Sequence, residues 1–356
     1  MGRREPSDEK KRAEALRVRK YREAQKADLK LLEAEQRHWA EMLERLKASQ
    51  KNDRRSKSAR SRPSALAMDL SRRQNKALRN QVGEYDELLH LLETWVASQQ
   101  LTQGPSHLRA WTESTLMAHP AARRQGYHWL SERVYHNATI AVPEHPFGIR
   151  VDDAAQFKLH TSDDVDGGAS IVGMEVHVQH TYFSNFKTVA NLVWSFGQKN
   201  SAVKAYLASQ VLEEVDDHTV YSSGVYDGTR TNVRRIISIF EGADRIVITH
   251  ALVTDDELHP MAPGELRTHG FAWTIVERVT DEISLMRHST FHFAPMSSQG
   301  VVSQAELGQL FGKDPDDIRH RDAFIEQVGG VAEATYVNGL QKFALKLGEA
   351  VDQLSG

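Results

Sequence analysis

The stretch Val233-Arg-Arg-Ile-Ile-Ser-Ile-Phe-Glu241 is followed, after Gly, Ala and Asp, by Arg245-Ile-Val-Ile-Thr-His-Ala-Leu-Val253. Both segments are rich in Val, Ile and Thr, residues that fit the pleated surface of a sheet. The Gly and Asp between them are typical of turns. The pair therefore predicts two successive β-strands.

Outward from this pair, segments of the same kind occupy much of the chain after Gly104-Pro105. The predicted strands are Tyr135–Val142, Phe147–Val151, Gly173–Thr181, Val220–Tyr226, Val233–Glu241, Arg245–Val253, His269–Val279 and Glu282–Phe293. Apolar residues three and four apart predict helices instead. The predicted helices are Phe186–Gln198, Ala202–Ser209, Gln304–Phe311 and a long last helix, Asp317–Leu354.

The order of these elements predicts the fold class. Antiparallel strands fall into two groups, with helices between them and a long helix at the end, which defines an α+β architecture. This order is similar to the helix-grip arrangement of START-like domains, in which a curved sheet wraps the C-terminal helix. We therefore expect residues 105–356 to form a START-like α+β domain.

The N-terminal part of the chain has the composition of a long helix. From Glu9 to Lys47 there is no Gly or Pro, and strong helix formers dominate. Basic residues crowd its first half: Lys10, Lys11, Arg12, Arg17, Arg19, Lys20, Arg22, Lys26 and Lys30. Apolar residues then follow at heptad a and d positions: Leu29, Leu32, Trp39, Leu43 and Leu46, with Gln36 as a polar interruption. We call these five apolar residues the seam.

A basic region followed by a zipper on one helix, residues 1–50, resembles the bZIP family. In that family a dimer forks and each basic helix enters the major groove of DNA. The resemblance implies dimerisation through the seam. It also implies DNA contacts from six basic residues: Arg12, Arg17, Arg19, Lys20, Arg22 and Lys26.

Two features depart from the bZIP pattern. The family's base-reading asparagine falls on Glu14, whose carboxylate cannot make asparagine's paired contact to adenine. The seam also stops early, because Asp53 and Lys57 occupy its next positions. We expect sequence-specific DNA recognition by the usual code to be impaired and dimerisation through this seam alone to be weak.

Two further segments separate the basic helix from the C-terminal domain. Residues 51–63 form a basic, Ser-rich stretch that ends at Pro63, which predicts a linker and a nuclear-import or nucleic-acid patch, or simply a solvated tether. Residues 64–104 contain a second amphipathic helix, whose apolar stripe is out of phase with the seam. The stripe comprises Leu78, Val82, Tyr85, Leu88, Leu89, Leu91, Leu92, Trp95 and Val96. So broad a stripe suits docking on the C-terminal domain as well as pairing with a partner helix.

Charge is distributed unevenly along the chain. Residues 1–62 carry a net charge of +9 and the remainder −12, within a total of −3. A basic arm on an acidic body indicates that the arm meets a polyanion and the body does not. No apolar run approaches the ~18 residues of a membrane span, and the charged N-terminus lacks a secretory signal.

Several strings resemble a large oomycete family that joins a degenerate bZIP-like helix to a START-like domain and includes mating-specific proteins. These strings are Arg17–Glu23, Leu32–Trp39, Arg230–Glu241, Ala243–Glu257 and Glu265–Trp273. The resemblance covers nearly the whole chain and implies its two-part organisation. It carries over no ligand and no catalytic residue.

Patterns of enzymatic and metal sites are missing from the sequence. There is no cysteine, which excludes disulfides, thiolate zinc sites and a cysteine nucleophile. There is also no phosphate loop, nucleophile elbow or HExxH motif. His177 and His180 point to opposite faces of a predicted strand, whereas His288 and His292 share a face but stand too far apart to ligate one ion. We expect no cofactor, no metal and no enzymatic activity.

Four residues are candidates for the wall of a ligand cavity. His250 lies among Ile246, Ile248 and Leu252, and Trp273 lies between Phe271 and Ile275. In a helix-grip cavity His250, Phe271 and Trp273 would contact an apolar ligand, although ordinary core packing also accounts for them. Arg234 and Arg235 are adjacent, so one of them must point inward and pair with a carboxylate. Arg234 is the candidate for the inward position in the cavity wall. The carboxylates that could pair with the inward arginine are Glu241, Asp244, Glu265 and Glu277.

The sequence thus favours a bZIP-like transcriptional regulator whose START-like domain binds an apolar ligand or a protein. Two alternatives remain open: a helical scaffold that pairs with partner helices without DNA, and a soluble lipid-binding or transfer protein. The expected partners are DNA, a homo- or heterodimer partner and an apolar ligand. We expect an intracellular protein, with the nucleus favoured over the cytoplasm.

Overall fold

A computed structural model describes residues 8–99, 114–141, 145–163, 168–198 and 207–355. Within the first helix, side chains are described for 19–20, 23, 26–27, 29–47 and 66–97. The chain divides into two compact units, Met1–Tyr85 and Asp86–Gly356. We describe each by itself and call the second one the C-terminal unit.

The first helix is longer than the sequence predicts. Helix α1 runs without interruption over Asp8–Gln99, so the expected break at Pro63 and the division into two helices are wrong. Proline lacks one backbone donor and strains the preceding turn. Residues 51–62, which precede Pro63, are mainly Lys, Arg, Ser and Ala, and a helix accommodates these residue types at small cost. A single proline therefore does not end this helix.

The apolar stripe after residue 77 has two different environments. Leu78, Val82 and Tyr85, in the first unit, are exposed. Within the C-terminal unit, the last part of α1 packs on residues that follow it in the chain. This cluster contains Leu88, Leu91, Leu92, Trp95 and Val96 together with Met117, Ala122 and Trp129. Of the two predicted uses of the stripe, docking on the C-terminal domain is the one observed for its last two turns.

Trp95 fixes the end of α1 to the C-terminal unit. It is 6% exposed, and its Nε1–H donates to Thr115 Oγ1 at 2.9 Å and to the Thr115 carbonyl at 3.2 Å. We expect Trp95→Phe to lower the free energy of unfolding by about 1–2 kcal/mol, because the donor and part of the buried ring are lost. Chemical denaturation measures this change. Tyr85→Phe, which removes a donor from an exposed ring on the same helix, should change it by less than ~0.5 kcal/mol.

The C-terminal unit is built on one large sheet. The described strands of the unit are β1 (Thr115–Leu116), β2 (Ala154–Asp163), β3 (Ala169–Tyr182), β4 (Leu207–Asp216), β5 (Thr219–Tyr226), β6 (Asn232–Glu241), β7 (Arg245–Leu252), β8 (Asp255–Asp256), β9 (Arg267–Thr268), β10 (Gly270–Arg278), β11 (Ser284–Phe293), β12 (Met296–Ser297) and β13 (Gly300–Val301). The long strands are antiparallel in the order β4-β5-β6-β7-β10-β11-β3-β2. The short β9, β12 and β13 extend from β6, whereas β1 pairs only with β8.

In the ranges that the structure describes, four further helices accompany the sheet: α2 (Pro120–Ala141), α3 (Phe186–Gln198), α4 (Gln304–Leu310) and α5 (Arg321–Ser355). A 3-10 turn, Pro315–Arg319, precedes α5. Helix α4 begins with a capping box between Ser303 and Glu306, which satisfies two backbone donors. Among the described residues, no helix is long and apolar enough to cross a membrane.

Both faces of the sheet are buried. On one face, which we call the α2 face, Tyr127, Leu130 and Val134 of α2 pack on strand residues that include Phe271 and Trp273. The other face, which we call the α5 face, is covered by α3 and α5. There Val189, Val193, Leu347 and Val351 pack on strand residues that include Ile237, Ile248 and Val276. Nearer the N-terminus of α5, Leu340 packs on Val176 and Val178 of β3.

Most predicted strands and the long last helix are confirmed, but the segment before β3 is not. The predicted strand Tyr135–Val142 falls in α2 up to Ala141, and residue 142 lies outside the described ones. Its residues continue a burial pattern with steps of three and four residues, from Tyr127 through Leu130 and Val134 to Ala138, which outweighs their β-propensity. The predicted strand Phe147–Val151 lies in a turn region, and β2 was missed.

The predicted helix Ala202–Ser209 is wrong at its described end, since Leu207–Ser209 begin β4. Residues 202–206 lie outside the described ones. The paired register of β4 with β5 shows why local propensity failed there: a cross-strand partner stabilises the extended form. The α+β class with an antiparallel sheet and a long C-terminal helix is confirmed.

Candidate functional site

A cavity lies on the α5 face, between the sheet and α5. We call it the central cavity; its volume is about 60 Å³. Strands β5, β6, β7, β10 and β11 supply one wall and α5 the other. The wall residues are Tyr226, Gly228, Thr229, Arg235, His250, Leu252, Ala272, His288, Thr290, His292, Thr335, Tyr336, Gly339 and Leu340.

Two further spaces adjoin the central cavity. An outer cavity of about 70 Å³ shares Arg235, His250 and His288 with it. An inner cavity of about 10 Å³ shares Thr229, His292 and Tyr336 with it. Since protein interiors are packed with few voids larger than a water molecule, a row of three cavities that share wall residues is a departure from core packing.

Both larger cavities combine apolar and polar wall residues. In the outer cavity Val193 and Phe196 of α3, Leu207 of β4 and Phe343 of α5 are apolar, whereas Ser209, Thr274 and the three shared residues are polar. Around the central cavity most wall residues carry hydroxyl or imidazole groups. At the β5–β6 turn Gly228 lies so close to α5 that an added Cβ would stand 2.8 Å from Thr335 Cγ2. This turn therefore packs tightly on the helix beside the central cavity.

Arg235 lies at the junction of the central and outer cavities. The residue is 7% exposed, and its buried Nε has no hydrogen-bond partner. In the described part of the chain no carboxylate forms an ion pair with it. Register places it opposite Leu252 on β7 and Ser222 on β5. An unpaired buried cation is costly, so this side chain is unusual for a structural residue.

Three histidines share the cavity wall with Arg235. Burial, followed by the nearby charges of Arg235 and His288, holds the pKa of His250 well below 6.5. Burial lowers the pKa of His288 to about 4 and that of His292 to about 3. His288 is held by Thr274 Oγ1 at 2.8 Å and Thr290 Oγ1 at 2.7 Å. The cavity is thus lined by one guanidinium and neutral imidazoles near neutral pH.

The predicted cavity residues fall on both faces of the sheet. His250 lines the central and outer cavities. Phe271 and Trp273 lie on the α2 face and pack against α2, so assigning them to the cavity was wrong. Arg234 is likewise not among the cavity wall residues; its neighbour Arg235 takes that position. The error has one cause, because α2 was not predicted and the second buried face was therefore unknown.

The prediction that an inward arginine needs a carboxylate fails for Arg235. Three of its four candidate partners pair elsewhere: Glu265 with Arg267, Asp244 with Arg278 and Glu277 with Arg287.

Sequence reasoning also missed the cavity residues Tyr226, Thr290, Thr335 and Tyr336. His288 and His292, which the sequence places on one strand face, are buried in the cavity wall. Their shared face on one strand was the only available signal.

On the first unit, the seam has no partner among the described residues. Its five side chains are between 55% and 64% exposed. Arg19, Lys20 and Lys26 are exposed. The side chains of Arg12, Glu14, Arg17 and Arg22 lie outside the described ones.

A row of hydrogen-bonded polar groups also lies on the α2 face. His177 Nδ1 is 2.8 Å from Ser289 Oγ, and its Nε2 is 2.9 Å from Glu175, which also contacts His160 at 2.8 Å. These contacts hold the pKa of Glu175 far below its usual range. Ser289 is only 2% exposed and lines none of the three cavities, so the row suits a structural network. In the described part of the chain no group of acidic and histidine side chains is arranged to hold a metal.

Comparison with solved structures finds proteins of similar fold at low sequence identity. Human StAR-related lipid transfer protein 5 is 12% identical with a TM-score of 0.42, over 65% of this chain and 100% of that one. Human STARD10 is 8% identical with a TM-score of 0.31, over 52% of this chain and 76% of that one. The Zhui aromatase/cyclase from Streptomyces sp. R1128 is 16% identical with a TM-score of 0.31, over 50% of this chain and 93% of that one.

No protein-family model matches the chain, and no curated protein matches it in sequence. The START-like assignment describes the fold of the C-terminal unit: α5 lies along an antiparallel sheet, as the element order predicts. The function of the unit has to be argued from its own cavity.

Proposed function

We propose that the START-like unit binds one small amphipathic molecule in the central and outer cavities. The observation that carries this proposal is the set of cavities between α5 and the sheet. Apolar side chains such as Phe343 and polar groups such as Arg235 lie in the same walls, as a molecule with an apolar and a polar part requires. The proposed role is binding without catalysis.

The volumes bound the size of the ligand. One water requires roughly 10–15 Å³ of this kind of space, so the cavities of about 60 and 70 Å³ hold on the order of ten water-sized groups. A single medium-length chain or a small ring system fits this space, and a two-chain lipid does not fit unless the walls separate.

Native mass spectrometry of the full chain tests the proposal, with saturated ten-carbon alcohol and acid as probes. We expect a single non-covalent adduct per chain with the wild type. Ala272→Leu adds bulk to the cavity wall and should weaken the adduct at least roughly tenfold, about 1.4 kcal/mol. Leu345→Ala, at an exposed position on α5, is the matched control and should leave it unchanged. Equal binding by the Ala272 variant, with its near-UV spectrum intact, would place the probe elsewhere.

A second proposal concerns α1, and the exposed seam favours it. We infer that the seam binds another helix of the same kind, because five large apolar side chains at heptad spacing are otherwise left in water. Sedimentation of the full chain should show self-association that Leu32→Glu together with Leu43→Glu abolishes. A monomer at all concentrations tested would reject homodimerisation.

DNA binding by the basic helix remains a prediction that goes with this second proposal. Arg19, Lys20 and Lys26 are exposed, as phosphate contacts require. Reversing the charge of Arg17, Arg19 and Arg22 should abolish a gel shift with duplex DNA. Affinity unaffected by that change would favour the helical scaffold. The proposed regulatory role depends on this result, whereas the oomycete family resemblance and nuclear residence stay separate predictions.

A further inference from the structure

We infer that the ligand of the central cavity is a monocarboxylate whose carboxylate is bound by the Arg235 guanidinium. This inference rests on the proposed function, because it names the chemical class of the molecule that the cavity takes. The site consists of Arg235 and His250 at the junction of the central and outer cavities, with the apolar outer wall beside them.

The first argument is charge. Among the described residues, Arg235 is the one side chain of permanent charge in the walls of the central and outer cavities, and no described Asp, Glu or Lys lines them. Its Nε is buried and unpaired. Four other arginines of the unit, at positions 123, 267, 278 and 287, each have a carboxylate partner. A bound anion would supply the partner that the protein itself does not give Arg235.

The second argument is the surrounding hydrogen-bonding groups. His250 lies near enough to Arg235 for that charge to disfavour its protonation, so it faces the cavity as a neutral imidazole with one N–H donor. In the described part of the chain, no hydrogen bond reaches the Tyr336 hydroxyl, which faces the same cavity from α5. Three unused polar groups therefore surround one space, and together they offer donors to an acceptor-only head group.

The third argument separates a carboxylate from other anions. The guanidinium is planar, and its paired N–H groups match the two oxygens of a carboxylate. One guanidinium with neutral histidines balances a single negative charge, whereas a phosphate dianion would leave a surplus charge in a buried space. The apolar wall formed by Val193, Phe196, Leu207 and Phe343 then accommodates the hydrocarbon part.

Isothermal titration of the full chain with four ten-carbon probes tests this inference: decanoate, decanol, decylamine and decyl phosphate. We expect decanoate to bind roughly 10- to 150-fold more tightly than decanol, the range for a hydrogen bond to a charged group. Decylamine should bind most weakly, since it brings a second cation to Arg235. This comparison requires no variant protein.

Substitutions then assign the effect to Arg235. Arg235→Gln should reduce the affinity for decanoate to about that for decanol. Arg235→Lys should give an intermediate affinity, because lysine keeps the positive charge but lacks the paired N–H groups of the guanidinium. Arg234→Gln is the matched control: it lies next in sequence, also has a buried unpaired Nε, and is not among the cavity wall residues. It should leave the preference for decanoate unchanged.

The outcomes distinguish this inference from the proposed function. If decanol binds as tightly as decanoate, the cavity binds a ligand but the carboxylate assignment is wrong. If decyl phosphate binds more tightly than decanoate, the head group is a phosphate. If none of the four probes binds, the proposed function fails and the inference fails with it. A preference for decanoate that survives in Arg235→Gln would place the recognition at another residue.

Discussion

Replacing Asp256 with asparagine is expected to lower the free energy of unfolding of the C-terminal unit by roughly 3–5 kcal/mol. Asp256 is 0% exposed. Its carboxylate accepts from Arg123 at 2.7 and 3.0 Å and from the Tyr221 hydroxyl at 2.5 Å. It also accepts from the Leu258 backbone N–H at 3.0 Å. An asparagine would turn one acceptor into a donor and leave the Arg123 cation buried without its counter-charge.

This effect is large because the contacts join distant parts of the chain. Arg123 lies on α2, Tyr221 on β5 and Asp256 on β8, so the pair fixes α2 over the edge of the sheet. Burial alone would raise the pKa of the Asp256 carboxyl, but the hydrogen bonds from Arg123 and Tyr221 hold it below its usual range. Breaking the network therefore affects both packing and charge.

Urea denaturation followed by circular dichroism measures the change. Asp255→Asn is the matched control, since Asp255 is the adjacent residue and is exposed; it should change the free energy by less than ~0.5 kcal/mol. A loss below ~1 kcal/mol for Asp256→Asn would mean that the Arg123 pair contributes little, and the described network would need revision.

Acid should destabilise the C-terminal unit well before its carboxylates titrate. Burial lowers the pKa of His145, His269 and His288 to about 4 and that of His292 to about 3. In the unfolded chain each would titrate near 6.5. Below that pH the unfolded state binds more protons than the folded state, so stability falls as pH decreases. The loss extends from about pH 6.5 to about pH 4 for His145, His269 and His288 and to about pH 3 for His292, where the folded state is protonated as well.

The expected magnitude is several kcal/mol between pH 7 and pH 4.5, because each histidine contributes on the order of 1–3 kcal/mol over this range. Denaturation series at constant ionic strength measure the slope. His269→Phe keeps a ring beside Phe293, on which His269 is stacked, and should reduce the proton uptake on unfolding by about one. His136→Phe, at an exposed position, should leave it unchanged. A free energy of unfolding that is flat between pH 7 and pH 5 would show that these histidines are accessible.

The part of the fold that the sequence predicts well is the part with strong local patterns. Strands β5, β6, β7 and β10 are rich in β-branched residues and β11 contains aromatic ones, and α3 matches its predicted bounds, Phe186–Gln198. Helix α5 was predicted four residues early at its start, where the 3-10 turn and α5 together present a helix-like pattern. These elements are specified by their own residues.

The errors have a tertiary origin. Helix α2 contains β-branched and aromatic residues near its C-terminal end, and its helical form is stabilised by packing on the sheet, which local sequence does not report. Because α2 was not predicted, the sheet was expected to have one buried face. This expectation explains why Arg234 and not Arg235 was chosen as the cavity residue. Strand alternation shows that the two side chains point to opposite faces, but only the positions of α2 and α5 show which face holds the cavity.

The site illustrates the same limit for His250. Its apolar neighbours in sequence indicated burial, and it lines the cavity. The same argument applied to Phe271 and Trp273 failed, since an apolar context is common to both faces of a sheet covered on both sides. The seam, by contrast, depends on heptad spacing alone, and its pattern persists along α1 without any tertiary contact in the described residues.

The most direct test of the central claim is methyl NMR of the full chain titrated with decanoate. If the ligand occupies the cavity on the α5 face, the methyl signals of Leu252 and Leu340, which line the central cavity, should shift and show contacts to the probe. The methyl groups of Leu130 and Val134 pack on the α2 face and should stay in place. Shifts confined to the α2 face, or none at all with saturating probe, would contradict the assignment of the cavity as the binding site.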